Sequence, residues 1–236
     1  ASILVLGAVG CSAGGSLEPS ATPQNTGSAQ PTPDQQIPEE TAPPEETQEP
    51  SASNAAAFSM DDLVLMGVKH GAAGEDVKAV LGEPDSVDSF VEAASGTAVE
   101  TWTYGNNTVE LRDGVLSGAT ISDELWTGPR DIRIGDSAEK VLASFLNEQE
   151  GSNILYSAQS ADGTMTLPPM GEIIEDDGSG YYEISYVVPA VEGDERAAYE
   201  ENVASDPQSY VFWPLGLLSI TVDSGTQMVT DIGWSI

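Results

Sequence analysis

The sequence predicts an α+β fold in which two related units follow a disordered N-terminal linker, each unit being a short helix or helix pair packed on an antiparallel β-meander. Three observations predict it. A helix signature opened by a glycine occurs twice, with Gly71 and Gly135 standing 64 positions apart. Alternating strand segments that close with a hairpin follow each signature. A proline-rich stretch precedes both units, and it holds too little apolar surface to fold.

The chain opens with an apolar run over residues 1–10, which leads directly to Cys11, its one cysteine. This run is about half the length that a membrane-spanning helix needs. Small residues flank the cysteine, and the arrangement resembles the end of a bacterial lipoprotein signal peptide. The resemblance implies a truncated signal peptide and lipobox over residues 1–11 and a lipid on Cys11. The protein is then expected on the extracytoplasmic face of a bacterial cell membrane.

Residues 12–58 form the predicted linker. They hold eight of the fifteen prolines and seven acidic residues, but no basic residue. Such a segment cannot offset its ordering entropy by burying apolar surface. We therefore expect a mobile, partly extended tether between the lipid and the folded region.

The first unit covers residues 59–128. Val77 and Leu81 share one face of its predicted helix, Gly82 can end that helix, and Pro84 blocks its continuation. No side chain that could serve as an N-cap precedes this helix. Alternation and turn residues then predict strands over residues 86–92, 98–104, 108–112 and 115–122.

The second unit covers residues 129–236 and repeats this order with larger insertions. Ser137 can cap its helix, whose apolar stripe includes Val141 and Phe145. An acidic insertion over residues 191–209 is expected to hold one helical turn. Strands are predicted over residues 154–156, 165–167, 181–188, 217–222 and 228–234. The connection between the units is short and partly apolar, so we expect them to form one body.

One spaced pattern, G-x-x-x-E-x-V-x-x-x-L-G-x-P followed by an aromatic strand and an Asp-Gly hairpin, carries a family resemblance. Its residues are Gly71, Glu75, Val77, Leu81, Gly82, Pro84, Trp102, Tyr104, Asp113 and Gly114. The pattern resembles the SmpA/OmlA outer-membrane lipoprotein domain and the tandem-repeat β-lactamase inhibitory proteins. This resemblance implies helices on one face of an antiparallel sheet and a function in binding other proteins. The second copy lacks the G-x-P, and no inhibitory residue carries over.

Charge restricts the partners. The chain has 39 acidic and 7 basic residues, for a net charge of −32. Nucleic acid is excluded as a partner, because binding it requires lysine and arginine to displace counterions from phosphates. The acidity either keeps an exposed domain soluble or attracts a cationic partner.

The sequence provides little for catalysis or metal binding. His70 is the one histidine, and it aligns with Ile134 of the second copy, which favours a structural position. With a single histidine and a lipidated cysteine, no zinc site is expected, and no cofactor motif is present. The acidic turn over residues 175–180 is either a solvated hairpin loop or an oxygen cluster for a hard cation such as calcium.

We therefore predict a non-catalytic, lipid-anchored lipoprotein that acts as a protein-interaction module. Its candidate binding surface is Trp102, Tyr104, Trp213 and Trp234, although core packing is the alternative for these side chains. A secreted carboxylate-type hydrolase and a lipoprotein that binds a cation or small molecule are the other functions considered. A deep cleft with converging carboxylates favours the hydrolase, whereas a broad concave sheet face lined by aromatic residues favours the interaction module.

Overall fold

A single antiparallel sheet organises the part of the chain that the computed structural model describes, which is residues 55–148, 151–159, 166–206, 209–210 and 213–236. The strands are β1 (Val64–Leu65), β2 (Val68–Lys69), β3 (Ser86–Val91), β4 (Ala98–Tyr104), β5 (Asn107–Arg112), β6 (Val115–Ile121), β7 (Ile154–Gln159), β8 (Thr166–Ile174), β9 (Tyr181–Pro189), β10 (Leu215–Asp223) and β11 (Val229–Ser235). β1 and β2 pair only with each other, and the remaining nine strands follow the order β3-β4-β5-β6-β11-β10-β9-β8-β7.

The helices of the described residues are α1 (Gly74–Leu81), α2 (Ala138–Ser144) and α3 (Gly193–Ser205), with short 3-10 turns at Met60–Asp62 and Pro129–Asp131. Their combination with the sheet confirms the predicted α+β class. The Ser137 side chain accepts a hydrogen bond from the Lys140 backbone N–H at 3.2 Å, which confirms the predicted cap of α2. Ala73 stands at the same place before α1 and gives no side-chain cap, also as predicted.

The helix α3 is longer than the single turn that the sequence predicts. Tyr199 and Val203, one turn apart, are both buried. Arg196 and Glu200 form an ion pair at 2.9 Å with the same spacing. Only two large apolar side chains face inward, so the apolar periodicity of this acidic segment is weak and its packing decides its length.

The strand β8 also exceeds its prediction, because the sequence rules place a strand end at Pro168 and Pro169. Proline cannot donate to a neighbouring strand, and it is therefore uncommon inside a sheet. The pairing of β8 with β7 shifts register at three points, and two of them lie on either side of the pair Ser157 and Pro169. These irregularities let the strand continue through both prolines.

The two halves of the fold begin with matching backbone contacts. Gly71 and Gly135 both take a positive φ, 77° and 85°, a conformation that favours glycine. The Gly71 N–H donates to the Leu116 carbonyl at 2.7 Å, and the Gly135 N–H donates to the Val229 carbonyl at 2.9 Å. A return bond completes each contact, from Leu116 to Ala72 at 2.8 Å and from Val229 to Asp136 at 2.8 Å.

The halves meet where β6 pairs with β11 at the centre of the sheet. Thr120 lies opposite Gly233 there, and Ile121 lies opposite Ile232. One continuous sheet therefore runs through the residues before and after position 128, as the short connection predicts.

An aromatic cluster fills the core beneath α2. The Phe145 ring lies 4.3 Å from the Tyr186 ring and 5.9 Å from the Phe58 ring. The Phe58 N–H donates to the Tyr156 hydroxyl at 3.2 Å, and burial raises the pKa of Tyr156 to about 12. Phe58 is only 4% exposed, so core packing begins inside the segment that the sequence assigns to the linker, residues 12–58.

Arg130 joins three separate segments next to this cluster. Its guanidinium donates to both carboxylate oxygens of Asp62, from Nε to Oδ1 at 2.8 Å and from Nη2 to Oδ2 at 2.7 Å. The remaining donors reach the backbone carbonyls of Ala56, Ala57 and Ser144. Arg130 itself takes a positive φ of 51°, which is uncommon for a residue with a side chain.

The predicted lipidation site, Cys11, and residues 12–54 of the predicted linker lie outside the described residues. Among the residues that are described, no helix combines the length and apolar character that crossing a membrane requires.

Candidate functional site

Strand alternation divides the sheet into two faces. On the covered face, the Gly74 backbone of α1 approaches so closely that a Cβ there would lie 2.8 Å from the Leu111 side chain and 2.9 Å from the Trp102 ring. The open face is formed by the alternate residues of the central strands: Thr101, Thr103, Thr108, Glu110, Thr120, Leu217, Ser219, Gly233 and Ser235. None of these residues is buried, whereas their covered-face neighbours largely are.

A depression of about 290 Å³ lies on the open face, across the β6–β11 junction. Side-chain hydroxyls dominate its lining: Thr101, Thr108, Thr120, Ser219 and Ser235. The only apolar side chain of substantial size that reaches it from the open face is Leu217, which is 37% exposed. The depression therefore offers hydroxyl groups for hydrogen bonds within a lining that also presents apolar surface.

These hydroxyls belong to a polar row that crosses the sheet. Strand register places Thr103 opposite Thr108, which lies opposite Thr120, and the row continues from there through Gly233 to Ser219. Ser185 follows in the register on β9, but it is buried, so the accessible row ends at Ser219. Because each hydroxyl can both donate and accept, the row matches a partner with mixed polar groups.

Gly233 forms the floor of the depression. A Cβ added there would meet no atom within 4 Å, and its φ lies outside the positive range. Gly118, the other glycine of the lining, differs, because a Cβ there would lie 3.0 Å from the Trp234 carbonyl oxygen. Position 233 can therefore accept a larger side chain without strain, and that side chain would fill the depression.

Glu110 is the one carboxylate among the residues that line the depression. Arg112 donates from Nε to Glu110 at 2.9 Å and from Nη1 to Glu92 at 2.9 Å. Hydrogen bonds to Glu110 and Glu92 raise the pKa of the Arg112 guanidinium. The Glu110 side chain remains about one-third exposed, so this ion-pair network is a surface feature.

Three of the four aromatic residues predicted as a binding surface lie on the covered face. Trp102 is 5% exposed, and its Nε1 donates to Glu100 at 2.8 Å. Trp234 is 3% exposed. The Tyr104 hydroxyl donates to the Gly82 carbonyl at 3.2 Å, and burial raises the pKa of that hydroxyl.

The fourth, Trp213, packs edge-on against Tyr199 of α3, with the ring centroids 5.8 Å apart. The four side chains therefore do not share one exposed surface, and core packing accounts for Trp102 and Trp234. Helices that cover a sheet need apolar area to pack against, and the aromatic half of each alternating strand supplies it.

The other residues singled out from the sequence lie away from the depression. His70 lies in the turn between β2 and α1, and its backbone N–H donates to the Leu63 carbonyl. Asp176 accepts hydrogen bonds from the Ser224 hydroxyl and from the backbone N–H groups of Gly178 and Gly180, which lower its pKa. No group of three or more potential metal ligands occurs among the described residues.

The sequence alone does not predict the hydroxyl row. Part of its pattern is visible there, because Thr101 and Thr103 in β4 and Ser219 and Thr221 in β10 occupy the polar positions of alternating strands. The prediction of a binding surface used the aromatic positions instead. Only the pairing register brings these hydroxyls together from separate strands.

Neither the protein-family models nor the curated proteins contain a match to this chain. Among solved structures, an extracellular protein containing an SCP domain from Bacillus anthracis matches at 13% identity with a TM-score of 0.35. That match covers 70% of this chain, which spans 43% of the Bacillus protein. A "putative beta-lactamase inhibitor protein" from Streptococcus mutans matches at 12% identity and a TM-score of 0.21, covering 70% of this chain and 83% of the other.

The uncharacterized protein yfeY from Escherichia coli matches at 12% identity with a TM-score of 0.28. This match covers 77% of the present chain and 99% of yfeY. All three are distant likenesses.

Proposed function

We propose that this protein is a non-catalytic, lipid-anchored binding module that holds another protein against the open face of its sheet, outside the cytoplasmic membrane. One observation carries the proposal. The centre of the open face is a depression of hydroxyl side chains that no described element covers. The five hydroxyls of the lining have no intramolecular hydrogen-bond partner among the described residues. Gly233 has no side chain, so the space above its backbone is unfilled. Exposed groups of this kind are available to a partner.

The two halves are tandem copies in this proposal. The matching bonds of Gly71 and Gly135 support it, because each connects a glycine three positions before a helix to the second strand of a hairpin. Leu116 and Val229 stand 113 positions apart, and so do Thr120 and Gly233, which pair directly. Each of these two residues therefore faces its own counterpart, as a local twofold relation between two copies requires. The depression lies across the β6–β11 pairing that this twofold relation involves.

A binding role fits the depression better than hydrolysis. Carboxylate-type hydrolysis needs two carboxyl groups facing one substrate. Here Glu110 is the one carboxylate of the lining, and Arg112 holds it as an ion pair. The volume of about 290 Å³ is at the lower end of small-molecule sites, and the lining comes from five neighbouring strands, β4, β5, β6, β11 and β10. A surface of that width suits contact with a macromolecule.

The open face is tested by Gly233→Val in the full chain. Valine suits a strand and meets no atom within 4 Å at its Cβ, so the fold is expected to stay intact while the depression fills. A photo-reactive residue at Thr120 should cross-link a protein in cells, and Gly233→Val should lower that yield by about tenfold or more.

Two controls accompany this experiment. Ala98→Val also places a valine at an exposed strand position, outside the depression, and it should leave the Thr120 cross-link unchanged. A photo-reactive residue at Leu125, which is 80% exposed, reports random collisions. Equal cross-linking from Thr120 and Leu125, or an unaltered yield in Gly233→Val, contradicts the proposal.

The anchor is tested by Cys11→Ser in the full precursor. A lipoprotein cysteine carries at least two acyl chains, which hold a protein stably at a membrane, whereas serine accepts none. The variant is therefore expected to leave the membrane fraction or to remain unprocessed, with an unchanged melting temperature. Ser16→Ala is the control and should fractionate like the wild type. A Cys11→Ser protein that matures and sediments normally rules out the lipid anchor.

A further inference from the structure

The two edges of the sheet differ in how they are protected. At one edge, β7 pairs irregularly, with three shifts of register against β8. At the other, β3 pairs with β4 through six consecutive residues without a shift. All six residues of β3 are exposed, and no described element pairs with its outer side. Sheet edges are usually blocked by bulges, proline, charged side chains or a covering segment, and within β3 the one such feature is the charge of Asp88.

The outer side of β3 presents backbone donors and acceptors in a regular array. The Glu92 N–H donates to the Thr97 carbonyl in the same register as the β3–β4 pairs, so Glu92 and every second residue before it in β3 bond to β4. The Asp85 N–H donates to the Thr103 carbonyl one residue out of that register, which marks an irregularity just before Ser86. In an antiparallel pair the inward-pointing residues alternate with outward-pointing ones. The free N–H and C=O groups therefore belong to Val87, Ser89 and Val91, listed here in chain order.

The side chains along this edge combine apolar area with negative charge. Val87 is 49% exposed, Phe90 57% and Val91 65%. Asp88 lies between them and takes part in no described ion pair, and Asp85 comes just before the strand. A strand that pairs here gains apolar contacts on both faces and meets a carboxylate at its centre.

We propose that β3 accepts an extended segment of another protein as an additional strand, and that this segment carries lysine or arginine opposite Asp88. A second copy of this chain fits poorly, because two β3 edges would bring Asp88 and Asp85 of both copies together. The chain carries 39 acidic against 7 basic residues, which adds to that repulsion. This surface is separate from the open-face depression, so either proposal can fail alone.

The test uses the full chain and a short capped peptide of alternating valine and lysine. Amide hydrogen exchange by NMR is expected to slow at Val87, Ser89 and Val91 when the peptide is added. The neighbouring amides of Asp88 and Phe90 already bond to β4 and should change little. A peptide with glutamate in place of lysine should bind at least about tenfold more weakly, because cross-strand charge pairs then repel.

Two matched variants separate backbone pairing from side-chain contact. Ser89→Pro removes one outward N–H while sparing the β3–β4 bonds, and it should weaken peptide binding by about tenfold or more. Ser89→Ala keeps that N–H and should bind like the wild type. Circular dichroism melting checks that both variants fold.

Each remaining outcome counts against the proposal. Equal binding of the lysine and glutamate peptides would contradict the proposed charge pairing with Asp88. Slower amide exchange that does not alternate along β3 would contradict the proposed strand pairing. A wild-type dimer that Ser89→Pro converts to a monomer would assign the edge to a second copy instead. Since the exchange pattern is measured on the wild type, a misfolded proline variant would not prevent a decision.

Discussion

Arg130→Ala is expected to be strongly destabilising, lowering the free energy of unfolding by about 3 kcal/mol or more. The Arg130 and Asp62 side chains are only 20% and 15% exposed, so alanine leaves a carboxylate largely desolvated and without its partner. It also leaves the carbonyls of Ala56, Ala57 and Ser144 without their guanidinium donor. Losing one partner of a buried ionic network costs more than the intact network contributes.

Urea denaturation measures this effect, with Arg133→Ala as the matched control. Arg133 is exposed, lies three residues further along the chain, and its side chain takes part in no described hydrogen bond or ion pair. Both variants remove one positive charge, so the net-charge effect is the same. The control should shift the free energy of unfolding by about 0.5 kcal/mol or less. Similar losses in the two variants would show that Arg130 acts only through charge.

Phe145→Ala is expected to lower the free energy of unfolding by about 3–5 kcal/mol. Phe145 is fully buried, and its ring contacts the Tyr186 ring at 4.3 Å and the Arg130 guanidinium at 4.3 Å. Removing it leaves a cavity where α2 meets the sheet, and it also deprives Arg130 of the ring beneath its cation.

The control for this variant is Phe90→Ala, which makes the same chemical change on an edge strand. Phe90 is 57% exposed, so little packing is lost, and a change of about 1 kcal/mol or less is expected. Thermal and urea unfolding of both proteins provide the comparison. A loss at Phe145 no larger than that at Phe90 would mean that the cluster beneath α2 does not carry the stability assigned to it.

Local sequence determined most of the secondary structure. Val, Thr, Trp and Tyr alternate through β4, and the Asp-Gly pair at Asp113 closes the hairpin between β5 and β6. Ser137 caps α2 as expected from its position alone. These features depend on neighbours in the chain, and the physical preferences of strands, turns and caps act over a few residues. The α+β class follows from them.

Tertiary structure decided which half of each alternating strand is covered. Alternation places Thr101 and Thr103 on one face of the sheet and Trp102 and Tyr104 on the other, but it does not determine which face the helices cover. The helices cover the aromatic set, and the hydroxyl set is left open to form the candidate site. Sequence reasoning chose the aromatic residues for binding because they are rich in contact area, and that same area is what core packing uses.

The Arg130 junction and the exposed edge of β3 were also beyond the reach of the sequence. Arg130 reaches carbonyls as distant as Ala56, which is 74 positions away in the chain. The exposure of Val87, Phe90 and Val91 depends on β3 being the last strand of the sheet, which follows from strand order rather than composition. Local pattern fixes what each segment becomes, whereas contacts between distant segments fix which groups remain free to bind a partner.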